Sequence, residues 1–215
     1  MISHSTKDIR GLSLEELAGE LKSVPAEAFR AAQIFKWIYQ GGAEDFAAMS
    51  DLPKDLRERL GRDFDFHRLA EAEKLVSDDG TTKFLFYLED HEKIESVLIP
   101  MPNRTTACIS TQAGCKFCCR FCASGIGGWK RHLSCAEIVA QVLRVRKEAE
   151  GFKRPLSNIV FMGTGEPLDN FDNLLKAIRI INSDKGMNIG ARHITISTVG
   201  VVPRIKELAE QGLQV

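Results

Sequence analysis

Apolar and polar positions change period twice along the chain, and those changes divide it into three parts. Over residues 1–65 the apolar positions recur at helical spacing. Ser13 and Glu16 form a capping-box pattern that opens a helix from Leu14 to about Lys22. Pro25 introduces a second helix carrying Phe29, Ala32, Phe35, Trp37 and Tyr39, stopped by Gly41-Gly42. Pro53 sits at a first helical turn and starts a third over Lys54 to Leu60. Helical spacing with Phe35 predicts that Trp37 and Tyr39 pack in a core. Residues 1–65 therefore read as a small helical domain.

Over residues 66–100 the period shortens to that of strands. Lys74 to Ser77 and Thr82 to Leu88 flank Asp78-Asp79-Gly80, which predicts a hairpin. After the polar turn Glu89 to Glu92, Ile94 to Ile99 reads as a third strand. A small antiparallel connector is expected here.

From residue 101 to 215, strand and helix patterns alternate. Strands are predicted at Thr106–Thr111, Asn158–Met162 and His193–Thr198. Helices are predicted from the Ser134/Glu137 cap to about Glu150, from Asn170 to about Asn182, and from Val202 to about Gln211. Leu213-Gln214-Val215 looks like the opening of a fourth strand. Such a series predicts an α/β fold with a parallel sheet or barrel, and a site at the carboxyl ends of its strands.

Composition narrows the class only a little. Lys plus Arg and Asp plus Glu both total 29, so charge gives no independent reason to propose a nucleic-acid partner. A hydrophobic content of 44% is ordinary for a soluble globular chain, and no run approaches a membrane span. Met1 to Lys7 is short and polar, unlike a secretory signal. A cytoplasmic protein without a membrane partner is expected, and cysteines in that compartment point to metal or catalysis.

Four of the six cysteines fall between Cys115 and Cys122. Read as Cys115, Cys119 and Cys122, they have the spacing C-x3-C-x2-C. Three thiolates on one short loop can hold three irons of a cubane cluster, and the fourth iron is left open. Structural sites close their coordination sphere, so an open position points to catalysis. Read as two C-x2-C pairs, the same residues suggest zinc. Zinc pairs are usually separated by a longer loop, whereas Cys118 and Cys119 are adjacent and must diverge. In the first register Cys118 is a loop filler.

Gly163-Thr164-Gly165-Glu166-Pro167 follows the second predicted strand, and Ser197-Thr198-Val199-Gly200 follows the third. Alone, Gly-x-Gly marks only a tight turn. Beside a cysteine loop, its glycines allow the backbone to approach a ligand, and Glu166 suits a cationic amine. The plainer reading of Glu166 is a solvated loop acid.

Phe121 just before the last cysteine, with Gly-Glu-Pro downstream, resembles the radical S-adenosylmethionine (SAM) enzymes. The resemblance implies a [4Fe-4S] cluster whose open iron chelates the amino and carboxylate groups of SAM, with Phe121 bordering the adenine. The chain is more narrowly similar to the RlmN/Cfr family of adenosine methyltransferases, on its RlmN side. Phe29 to Tyr39, Ile94 to Pro100, Cys108 to Cys115, Gly163 to Leu168 and Ser197 to Pro203 carry that resemblance. It implies a (β/α)6 barrel, here partial and truncated after about three βα units, behind a helical RNA-binding-like domain.

The implied activity is methylation of C2 of adenosine in 23S rRNA and tRNA through a methyl-cysteine intermediate. The electron would come from a donor such as flavodoxin. By position, Cys108 is the cysteine that resolves the protein–RNA adduct, and Glu95 is the proton acceptor. Gly165, Glu166 and Ser197 are SAM contacts. Cys135 has no matching role and reads as a helix-start residue. The family's methyl-carrying cysteine lies near its C-terminus, whereas no cysteine follows Cys135 here. A fragment is therefore expected. The alternatives are a Cfr-like C8 methyltransferase or a non-catalytic Fe-S or RNA-binding remnant.

Overall fold

The computed structural model describes residues 7–25, 27–66, 69–117, 119–152 and 155–215. Cys118 lies outside them. Three helices form the N-terminal unit: α1 (Leu14–Glu20), α2 (Glu27–Tyr39) and α3 (Lys54–Asp63). The capping box at α1 is complete. Ser13 N–H donates to Glu16 Oε2 at 2.7 Å, and Glu16 N–H donates to Ser13 Oγ at 3.2 Å. A cap of this kind contributes about 1 kcal/mol. Tyr39 is fully buried and donates its hydroxyl to the Arg10 carbonyl at 3.0 Å. Trp37 is only partly buried, because its indole N–H reaches out to Asp51. Strand β1 (Lys7–Asp8) pairs in parallel with β2 (Phe64–Asp65), closing the unit on itself.

β3 (Ala70–Val76), β4 (Thr82–Tyr87) and β5 (Lys93–Met101) form the expected antiparallel run, but β5 then pairs with β6 (Arg104–Cys108). Beyond β6 the chain makes a short ladder, β7 (Gln112–Gly114) with β8 (Trp129–His132). Helix α4 (Cys135–Ala149) leads to β9 (Asn158–Phe161), and α5 (Phe171–Asn182) leads to β10 (Ile194–Ile196). The result is one six-stranded sheet in the order β10-β9-β6-β5-β4-β3. Strands β6, β9 and β10 are parallel neighbours in sequence order, as βα crossovers dictate. Helix α6 (Val202–Ala209) ends the regular structure. Leu213–Val215 pairs with no strand, contrary to the fourth strand expected there.

One face of the sheet is covered and the other is open. Phe84, Phe86, Ile94, Ser96, Leu98, Ala107, Ile159 and Phe161 are buried on the face that carries α4 and α5. Gln141 of α4 is the polar pin in this interface. Its Oε1 accepts from Ser96 Oγ at 2.9 Å and from Ser110 N–H at 3.0 Å, and its amide donates to the Ser110 carbonyl at 3.1 Å. Every strong group of this buried side chain is thereby paired, which is what keeps it from destabilising the core. Alternation puts Lys83, Glu95, Val97, Cys108 and Val160 on the opposite face, and none of them is fully buried.

Candidate active site

The open face carries the first pair of predicted residues. Val97 and Cys108 are cross-strand partners, and Glu95 is two residues from Val97 on the same side. Glu95 and Cys108 are thus diagonal neighbours, which in such ladders lie about 7–8 Å apart. Glu95 Oε1 is held by Lys83 Nζ at 3.0 Å. Burial pushes the Cys108 thiol up, partly offset by the Met162 backbone, so it stays protonated beyond the usual thiol range.

The cysteine loop springs from the β7–β8 ladder. Gly114 at its start has φ +73°, and a Cβ there would fall 1.9 Å from the Gly128 carbonyl oxygen. Only glycine closes the base of the loop that tightly. Cys115 is 8% exposed, Cys119 is intermediate and Cys122 is exposed. Burial pushes the Cys115 thiol up, against the effect of the Phe117 backbone, and the negative charges of Cys122, Cys119 and Glu166 push it further. The three cysteines and Glu166 therefore lie within one electrostatic neighbourhood. Hydrogen bonds from the Ser124 side chain and backbone pull the Cys122 thiol down. Phe121, at the outer end, is 93% exposed. Among the described residues, no three His, Cys, Asp or Glu side chains group closely enough to cage a single metal ion.

The Gly163–Pro167 loop is fitted to the protein itself. Gly165 has φ +104°, and a Cβ there would lie 2.5 Å from the Gln112 Cβ. Its freedom is used to approach the segment behind the cysteine loop. Thr164 N–H donates to Ser110 Oγ at 2.8 Å, and Ser110 Oγ donates to the Glu95 carbonyl at 2.6 Å. Glu166 is 4% exposed, not a solvated acid. Its Oε1 accepts from Leu168 N–H at 2.9 Å and Thr198 Oγ at 2.7 Å, and its Oε2 accepts from Val199 N–H at 2.7 Å. Ser197 is exposed at the end of β10, its N–H donating to the Phe161 carbonyl at 3.3 Å.

Several residues here escaped the sequence reading. Thr198 stood inside a quoted motif, but nothing marked it, rather than Ser197, as the partner of Glu166. Gln112 and Asp169 carried no signal because their role depends on contacts between distant segments.

A cavity of about 520 Å³ opens between these parts, lined by Lys93, Glu95, Ser124, Gly128, Lys130 and Thr164 among others. A larger cleft of about 730 Å³ separates α4 from the helical unit. Its basic groups are engaged within the protein, in ion pairs such as Lys147–Glu44 at 2.8 Å and Arg144–Glu71 at 2.6 Å, and in the bond from Arg146 to the Tyr39 carbonyl at 2.6 Å. The smaller cavity lies beside the cysteine loop and is lined by Glu95.

Residues 7–65 match the ribosomal RNA large subunit methyltransferase N-terminal domain, and residues 109–215 match the radical SAM superfamily. A radical SAM methyltransferase of known structure from Sphaerobacter thermophilus superposes with a TM-score of 0.91 at 42% identity, covering 97% of this chain and 62% of that one. The fold and the three strand-end loops thus define a protein of the radical SAM class. Probable dual-specificity RNA methyltransferases RlmN from Geobacillus kaustophilus and Bacillus subtilis are 48% and 47% identical over 207 residues. The chain belongs to the RlmN family of radical SAM proteins. It spans 57% of the length of those two relatives.

Proposed function

We propose that the chain carries the SAM-binding core of an RNA methyltransferase that acts on C2 of adenosine in 23S rRNA and tRNA. The observation that carries this reading is the placement of Glu95 and Cys108 on one open sheet face, beside the loop that bears Cys115, Cys119 and Cys122. We read β6, β9 and β10 as the first three strands of a (β/α)6 barrel wall, with the open face inward.

The donor set fits an iron–sulfur cluster better than a single ion. It is all thiol and it lies on one loop, where three thiolates can share one cationic group. Cys115, Cys119 and Cys122 would hold a [4Fe-4S] cluster, which when bound supplies the electron that opens the sulfonium of SAM. Phe121 is free at the loop tip to cover the adenine, a role its exposure permits and its packing does not explain. Among the described residues Oε2 of Glu166 has a single donor, Val199 N–H, so it keeps a lone pair for the ammonium of SAM. Gly165 and Ser197 flank that carboxylate on the two adjoining loops.

On the open face, Glu95 is the acceptor for the proton that C2 must release when its new carbon–carbon bond forms. Lys83 holds that carboxylate in place. Cys108 resolves the adduct by attacking the sulfur of the methyl-carrying cysteine: the S–S bond forms as the S–CH2 bond to the base breaks, and the released carbon takes up a proton to become the methyl group. Burial favours its neutral thiol, which suits a group that must wait until its partner is in place. Cys135, the last cysteine of the sequence, is unsuited to the carrier role. It is buried in the first turn of α4, and that burial pushes its thiol to about 12.

Reductive cleavage of SAM tests the core reading. The reconstituted 215-residue chain with dithionite and SAM should release 5′-deoxyadenosine, measured by mass spectrometry. A chain with a full cluster and no such product would overturn the reading, leaving a non-catalytic Fe-S protein.

A further inference from the structure

We propose that Asp169 is a positioning residue for the cysteine loop, holding the entering side of that loop through Lys116 and Gln112. This rests on the reading that the loop's thiols act together. Asp169 lies in the turn after Glu166-Pro167, with its side chain 17% exposed. Its Oδ1 is 2.5 Å from Lys116 Nζ, and Lys116 directly follows Cys115. Its Oδ2 accepts from Gln112 Nε2 at 2.8 Å. The ring of His132 approaches the same oxygen at 3.9 Å.

Gln112 and His132 are cross-strand partners in the β7–β8 ladder, so they stand on the two legs from which the loop rises. Gln112 Nε2 also meets His132 Nδ1 at 3.1 Å. One carboxylate thus bonds the entering leg at Gln112 and the loop at Lys116, and the leaving leg reaches the same group through the His132–Gln112 contact. Gln112 is completely buried, and its Oε1 accepts from Glu166 N–H at 2.8 Å. The chain of contacts therefore runs from Lys116 through Asp169 and Gln112 to Glu166, and on to Thr198.

The rest of the loop has little to hold it. Phe121, Cys122 and Ile126 are exposed, and Gly127 has no neighbour within 4 Å of where a Cβ would stand. Cys115 is the inner, buried thiol, so its placement depends on this inner anchorage. Charge-assisted bonds to a mostly buried carboxylate are strong enough for that purpose. Without the pair, Lys116 loses the charge that draws it to the Asp169 turn, and Cys115 opens to solvent.

The test uses the chain without iron first. Asp169→Asn keeps the shape and an acceptor for Gln112 but removes the charge that holds Lys116. Site-resolved alkylation should show Cys115 reacting about ten-fold faster, with buried Cys135 unchanged as a control for global unfolding. Lys116→Met, at a half-exposed position, should give the same increase, and the double variant no more than either alone. After anaerobic reconstitution, both variants should lose iron faster than wild type during chelator challenge.

If Asp169→Asn also exposes Cys135, Lys116→Met decides the question. Wild-type protection of Cys115 in Lys116→Met overturns the proposal. If the wild-type chain takes up no iron, the cluster reading fails instead, while the alkylation comparison still decides the role of Asp169.

Discussion

Thr198 donates its hydroxyl to Glu166 Oε1 at 2.7 Å, joining the loop after β10 to the loop after β9. Thr198→Val removes that bond but leaves Val199 N–H on Oε2 at 2.7 Å. We expect a loss of about 1 kcal/mol in urea unfolding and weaker SAM binding. Glu166→Ala strands three donors at once, two of them backbone N–H groups, and should cost about 2–4 kcal/mol. Wild-type stability in both variants would mean the carboxylate does not tie the loops together.

Gly165→Ala is expected to be more damaging than its size suggests. The φ of +104° is unfavourable for any L side chain, and the Gln112 Cβ would lie 2.5 Å from the new methyl group. A loss of about 2–4 kcal/mol is predicted, read as a shift in the urea midpoint. A midpoint unchanged from wild type would show that the loop can move off Gln112 freely.

Burial raises the Cys108 thiol above its ordinary value. The sign follows from the neutral form being the one the fold favours. Its stabilising contribution is full below the ordinary thiol range and is lost as pH rises through the raised value. Native Cys108 should therefore alkylate more slowly than in the urea-unfolded chain, and its rate should keep climbing at pH values where the unfolded thiol has levelled off. A native rate that levels off at the same pH as the unfolded one would contradict this.

Much of this was legible in the sequence because the signals were local. Both capping boxes, at Ser13 and Ser134, appear as written, and the Asp78-Asp79-Gly80 turn joins β3 to β4 as expected. The continuity of β5 with β6 was not legible, since edge-to-edge pairing depends on register rather than on either strand's own pattern. The β7–β8 ladder was missed because three- and four-residue strands around a glycine-rich loop have no usable period. The motifs marked where chemistry would lie, after the strands, but not which side chain does what. Glu166 read as a single ligand-binding acid, whereas its carboxylate is also the hub of two loops. Such a role depends on the burial and partners that only folding creates.

The central claim is that Cys115, Cys119 and Cys122 hold one cluster. Iron and sulfide analysis of the anaerobically reconstituted chain, beside its four single Cys→Ala variants in this loop, tests it most directly. We expect about four iron and four sulfide per wild-type chain. Both should be lost in Cys115→Ala, Cys119→Ala and Cys122→Ala, and retained in Cys118→Ala. A cluster lost in Cys118→Ala but kept in Cys119→Ala, or one zinc ion held by all four cysteines in place of iron, would contradict it.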